Sequence, residues 1–243
     1  MKKYRIMLIW AFFIFIITSC QNPTRKIIKG NGYKDTHSFT QKNFTKVVLS
    51  VPTLSAKIKQ SNVFKVELTI DTNLFDCIQV DAKNDTLYIR PKLFYEIHPS
   101  EKCSVLITMP LLTGIECNTS SHVRVSRFEM PDSTMDLAIS KTSKASIEAE
   151  VNTLKIHAAE GTIVGLRGSA QTLEYECTGY GLLNAYNCTA DNVHLNISSG
   201  GQAEVTARKL LAVKLSGGAR VLYRGRPSLK KDIRGLGEIA AAY

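Results

Sequence analysis

The sequence predicts an all-β protein wound as a parallel β-helix, a solenoid whose coils are about 19 residues long. Three observations point there: similar segments recur at near-constant spacing, each alternates strictly, and each runs into a small or polar turn. Met135–Ile139, Leu154–Ala158, Leu173–Cys177, Val193–Ile197 and Leu211–Leu215 align, and a weaker copy begins at Thr113 with Ile115 and Cys117. The starts at 113, 135, 154, 173, 193 and 211 are separated by 22, 19, 19, 20 and 18 residues.

Alternation supplies the strands. At offsets 0, 2, 4, 10 and 12 from the six starts, 29 of 30 residues are hydrophobic, Thr113 being the exception. At offsets 1, 3 and 11 only Ala138, Ala212 and Leu222 of 18 are hydrophobic, in a chain that is 44% hydrophobic overall. A period of two means strands with one buried face, and a constant offset means the same positions face inward in every copy. The turns are Thr119–Ser121, Ser140–Thr142, Ala159–Gly161, Thr178–Gly181, Ser198–Gly201 and Ser216–Gly218. Such residues satisfy turn amides or accept positive φ.

Nineteen extended residues reach at most ~63 Å at ~3.3 Å each, which closes one flattened coil but not a four-stranded propeller blade. Stacked coils pair each strand with its equivalent in parallel, and equal offsets form interior columns. An antiparallel sandwich also alternates, but nothing in it demands a 19-residue register.

Upstream, Phe64–Ile70 and Thr86–Arg90 alternate, Asn84-Asp85 reads as a turn, and Val105–Met109 reads as a strand stopped by Pro110. These strands are expected to form a cap or first coils continuous with the repeat. No linker separates the halves, so residues 30–243 read as a single domain.

The N-terminus reads as an address. Lys2, Lys3 and Arg5 precede an apolar run from Ile6 to Ile17, which is too short for the ~20 residues of a spanning helix and has the build of an export signal. It ends in Ile17-Thr18-Ser19-Cys20, which resembles the lipobox of bacterial lipoproteins. That resemblance implies cleavage after residue 19 and acylation of Cys20, and two or more acyl chains hold a protein stably on a membrane. Residues 20–29 then form a lipidated Cys and short linker. Gln21 is not the Asp of an inner-membrane retention signal, so a cell-envelope location on the outer membrane is expected, with the leaflet open.

Composition excludes general disorder and a polytopic membrane protein: charged residues are 21% and mean hydropathy is −0.05. Removing Lys2, Lys3 and Arg5 takes the formal charge from +10 to +7. A positive field favours acidic glycans, lipopolysaccharide phosphates or anionic headgroups. Nucleic acid is not an expected partner, since no motif for it appears. Without Cys20, five cysteines remain: Cys77, Cys103, Cys117, Cys177 and Cys188. Cys117 and Cys177 sit at inward offsets, a Cys77–Cys103 disulfide is compatible with an oxidising compartment, and connectivity stays open.

The chain resembles the head GIN-domain family, often labelled auto-transporter adhesins, over about residues 30–239. Gly30-Asn31-Gly32 matches its opening Gly-x-Gly, and Ala56–Gln60, Asn84–Ile89 and Val105–Pro110 match its early strands. The best match is Leu215–Pro227, followed by Gly235–Ile239. The family's Ser-Gly-Ser-Gly turn survives best at Ser199-Gly200-Gly201 and Ser216-Gly217-Gly218, and has decayed elsewhere. The resemblance implies the right-handed β-helical fold and no established enzyme activity.

For function, the expectation is a non-enzymatic binding, adhesion or structural module, contacting glycan or an envelope protein through its outer sheet faces. Tyr180 at a turn and Arg220, Arg224 and Arg226 near the last coil are the candidate contact residues; Arg224 and Arg226 would alternatively guard an open solenoid end against edge pairing. Glu174 and Glu176, with Glu116, His157, Asn196 and Lys214 at equivalent offsets, make the most varied outward row. The alternative is therefore a polysaccharide-active enzyme with its site on one solenoid face. An envelope-stress accessory is a third reading. The scattered His37, His98, His122, His157 and His194 show no metal-binding spacing, and no cofactor motif is present.

Overall fold

The computed structural model describes residues 25–242. The expected signal segment and Cys20 lie outside them. Nine short strands come first: β1 (Lys26–Lys29), β2 (Lys34–Phe39), β3 (Lys46–Leu49), β4 (Leu54–Gln60), β5 (Lys65–Asp71), β6 (Ile78–Lys83), β7 (Thr86–Pro91), β8 (Tyr95–His98) and β9 (Cys103–Met109). The repeat follows as β10 (Gly114–Cys117), β11 (His122–Ile139), β12 (Lys144–Ala159), β13 (Ile163–Thr178), β14 (Leu182–Ser198) and β15 (Gln202–Gly217). The chain closes with β16 (Arg220–Arg224), β17 (Ser228–Gly235) and β18 (Glu238–Ala241).

The repeat is a parallel β-solenoid of six regular turns. Leu154 lies opposite Leu173, Leu173 opposite Val193 and Val193 opposite Leu211, always between parallel strands. All thirty inward positions are buried except the half-exposed Thr113 and Tyr223. Each side chain in a column touches its equivalents above and below, so apolar burial, the main stabilising term, comes from neighbouring coils.

Each coil has three faces. The first spans offsets 0–4, the second begins after the turn, at offset 9, and the third is a corner segment. That corner buries Phe128 and Met130, Ala149 and Val151, Ala170, Cys188 and Ala190, and Ala207. It escapes the sequence pattern because most of its side chains are short and its offset drifts. Bulges between Met130 and Thr134, Gly165 and Arg167, and Ala185 and Thr189 absorb the varying coil length.

The upstream strands are both coils and cap. β3 and β4 form a coil beneath β10 and β11, with Val47 opposite Ile115 and Ala56 opposite Val123. β7 and β9 form the next coil outward, with Leu87 opposite Val47 and Val105 opposite Ala56. Spatial order therefore differs from chain order: the chain lays down one coil, steps outward, then crosses back. Antiparallel β6 on β7, β5 on β9 and β2 on β5 close that end. β6 returns through the Asn84-Asp85 turn, where both residues have positive φ.

The opening Gly-x-Gly is explained by a buried carboxylate. Asp71 accepts the Gly32 N–H at 2.8 Å, the Ser100 N–H at 3.1 Å and the Ser100 hydroxyl. A Cβ on Gly30 would lie 2.5 Å from that carboxyl. Part of the expected linker is also structured: β1 pairs in parallel with β8.

At the other end, β17 stacks on β15 and β18 on β16. This further coil starts at Leu229, 18 residues after Leu211. It is hidden in the sequence because Lys231 occupies the column filled elsewhere by Ile156, Tyr175, Leu195 and Val213. β18 covers β16 only as far as Tyr223, so Arg224 and Arg226 follow the covered stretch. Lys231 lies on the open rung itself, where its charge interrupts an otherwise apolar row.

All five described cysteines are free and buried, so Cys77 and Cys103 are not joined. Inside the turn, Gly181 lies so close to Cys177 that a Cβ would sit 2.6 Å from its Sγ.

Candidate functional site

The second face carries the most distinctive surface. Its outward columns follow from the register: His122, Lys144 and Ile163 in one, Arg124, Ser146, Gly165 and Asn184 in the next, and Glu148 and Arg167 in the third, where a bulge between Val125 and Phe128 takes Ser126 out of register. The middle column shrinks to Ser146 and Gly165 in two consecutive coils, leaving a trough between taller neighbours. This groove holds about 620 Å³ and is lined by His122, Arg124, Lys144, Glu148, Arg167 and Asn184 among others. A bulge in β14 places Asn187, rather than the next alternate residue, opposite Arg167.

The groove is cationic and rigid. Arg124, Lys144 and Arg167 are exposed, and among the described residues none of them forms an ion pair within 4.0 Å. Glu148 is the only acid in the lining. One coil below, Lys57 pairs in register with Arg124 and Lys59 with Ser126, extending the positive strip. Adjacent rungs are ~4.8 Å apart, so Lys57 and Arg124 are like-charged neighbours well inside the ~8 Å Debye length of physiological salt, whereas Arg167 stands between Glu148 and Asn187 in the register.

The four residues singled out from sequence only partly converge. Arg220 and Arg224 lie on this same face, beyond the groove's last coil, and both have partners. Arg220 Nε is 3.3 Å from Glu238, and the Arg224 guanidinium stacks 4.1 Å from the Tyr186 ring centre. Tyr180 is 77% exposed on the turn ridge, its ring against Gly200, where a Cβ would come within 2.6 Å. Arg226 is exposed beyond β16. The cations at 57, 59, 124, 144 and 167 went unrecognised because the repeat was read for inward residues: Lys57 and Lys59 precede its first copy, and Lys144 and Arg167 fall at offsets 9 and 13, outside the alternation counted.

The first face is electrically paired. Lys155 lies 3.3 Å from Glu174, and His157 lies 3.3 Å from Glu176 and 3.8 Å from Asp136. Asn196 donates to Glu176 at 3.5 Å. Two shallow hollows there, of about 360 and 480 Å³, share His157 and Glu176. Glu174 and Glu176 are thus solvent-accessible carboxylates, one paired with Lys155 and the other in contact with the His157 imidazole, not a desolvated acid beside an ionised base, which is the contrast glycoside hydrolysis needs.

One missed acidic residue is structural. Asp191, at a coil corner, receives Lys209 at 2.7 Å and Arg208 Nε at 2.6 Å. The hydrogen bonds from Lys209 and then Arg208 outweigh desolvation and hold its carboxyl below the ordinary range.

Residues 43–227 match the family model described as "Putative auto-transporter adhesin, head GIN domain". Solved structures share the fold. One, described as a "putative adhesin" from Bacteroides fragilis, has a TM-score of 0.82 at 20% identity, covering 88% of this chain and 100% of that one. A "putative lipid binding protein" from Parabacteroides distasonis has 0.75 at 21% identity, covering 90% and 100%. A "putative adhesin" from Parabacteroides merdae has 0.71 at 17%, covering 89% and 99%. No functionally curated protein matches the chain.

Proposed function

The chain belongs to the head GIN-domain family, and from that premise we propose that it is a non-enzymatic binding module of the cell envelope, working as an adhesin. Cys20 carries its lipid anchor to the outer membrane, and the solenoid presents its second face to a glycan or envelope protein. The observation carrying this reading is the groove between Arg124 and Asn184: a trough on a fully paired sheet whose Arg124, Lys144 and Arg167 form no ion pair among the described residues. Arg220, Arg224, Arg226 and Tyr180 border or extend that surface.

A sheet is suited to this work. Its backbone is held by parallel ladders on both sides, so binding orders side chains only and no loop has to be fixed. The carboxylates of the first face are occupied by Lys155 and His157, which supports binding over hydrolysis.

The test is saturable binding of the purified protein to washed envelopes and to a panel of glycans. Binding without product formation is the expected result. Glycan turnover that disappears in Glu174→Ala and Glu176→Ala would replace this reading with the enzyme.

A further inference from the structure

We infer that the groove of the second face binds an acidic polysaccharide, its carboxylate or sulfate groups meeting Arg124, Lys144 and Arg167 while the chain lies over Ser146 and Gly165. This rests on the reading of the protein as a binding module and names the ligand class of that same surface.

The occupant follows from charge and shape together. Five cations, Lys57, Lys59, Arg124, Lys144 and Arg167, stand on successive coils of one face with Glu148 as the only acid lining the groove. From Lys57 to Arg167 is three rungs, ~14 Å, which spaces charges along the solenoid axis as a charged polymer would present them. Ser126, Ser146, Asn184 and Asn187 interleave with the cations and supply both donors and acceptors. Hydroxyl-rich sugar rings use both; a bare anion needs only donors.

Other anionic partners fit less well. A flat bilayer surface cannot follow a trough recessed between side chains, and the lining offers Ile163 as its one large exposed apolar residue. A peptide recognised by strand addition needs a free sheet edge. The groove floor is the middle of the sheet, with β12 and β13 each paired on both sides.

The experiment uses the full-length protein in neutral-detergent micelles, titrated with polygalacturonate for carboxylate, dextran sulfate for sulfate, dextran as neutral glycan, polyglutamate as an acidic peptide and phosphatidylglycerol vesicles. Binding to polygalacturonate, to dextran sulfate or to both is expected, the pattern naming the anionic group. Arg124→Ala/Lys144→Ala/Arg167→Ala weakens it about tenfold, and Glu148→Gln strengthens it. Lys42→Ala/Lys83→Ala/Lys92→Ala, which removes the same charge from the cap, leaves it within twofold. Equal loss in both triple variants overturns the groove as the site, and equal affinity for polyglutamate or the vesicles overturns the sugar. Binding to dextran alone, or to envelope protein without any glycan, overturns this inference while sparing the adhesin reading. Binding to neither envelopes nor glycans overturns both.

Discussion

Leu173→Ala tests the column architecture most directly. Leu173 is fully buried, in register with Leu154 below and Val193 above. Truncation leaves a void enclosed by two coils that cannot collapse without breaking the ladder, so the cost falls in the upper part of the usual range, about 3–5 kcal/mol. Leu229→Ala removes the same atoms from the same column at its open end, where the residue is 39% exposed and rests on Leu211 alone. No closed cavity forms there, and the cost is about 1 kcal/mol. Urea unfolding followed by circular dichroism measures both. The expected gap is at least about 2 kcal/mol at similar m-values, since neither change alters the area exposed on unfolding. Equal destabilisation would refute the claim that interior stability is supplied by coils on both sides. A large fall in m for Leu173→Ala would show instead that the solenoid unfolds in independent halves.

The remaining predictions concern charge and thiols. Burial raises the pKa of Asp71, but the bonds from Ser100 and Gly32 outweigh it and leave it below its ordinary value. A depressed carboxyl contributes stability that is present above the unfolded pKa of about 3.9 and lost as pH falls through the folded value. Asp71→Asn should therefore lower stability at pH 7 and flatten the acid limb of a stability–pH profile; an unchanged limb counts against the assignment. All five described thiols are buried, and burial pushes those of Cys103 and Cys188 up to about 11; closed off by packing, the five should resist a thiol-specific chromogenic reagent at pH 8 and all react once unfolded. Rapid labelling of the native protein would contradict the packing. Lys231→Ile should complete the apolar column and stabilise the last coil, while promoting association that sedimentation would detect; a strictly monomeric variant would argue against the edge-guarding role.

Much of the fold was legible because a solenoid repeats one local rule. Offsets 0, 2, 4, 10 and 12 recur in sequence, and inward columns are what such recurrence produces. Where a side chain broke the rule, recognition failed: Lys231 hid a coil, and small residues such as Ala149, Ala170 and Ala207 hid the third face. The site was less legible. Arg220 and Arg224 were singled out as conspicuous cations near the best-matching motif, yet Glu238 and Tyr186 occupy them. The unpaired cations lay in ordinary-looking strands.

By itself, the sequence determined the period, the inward set and the turns, because each depends on neighbours a few residues apart or on identical positions one coil apart. Only the tertiary structure decided that Phe44–Gln60 stacks between Thr86–Met109 and the repeat, since nothing local marks the crossing back. It also decided which charges are free. Whether an arginine has a partner depends on residues a coil or more away along the chain, and Ser146 beside Gly165 becomes a groove floor only once the register aligns them.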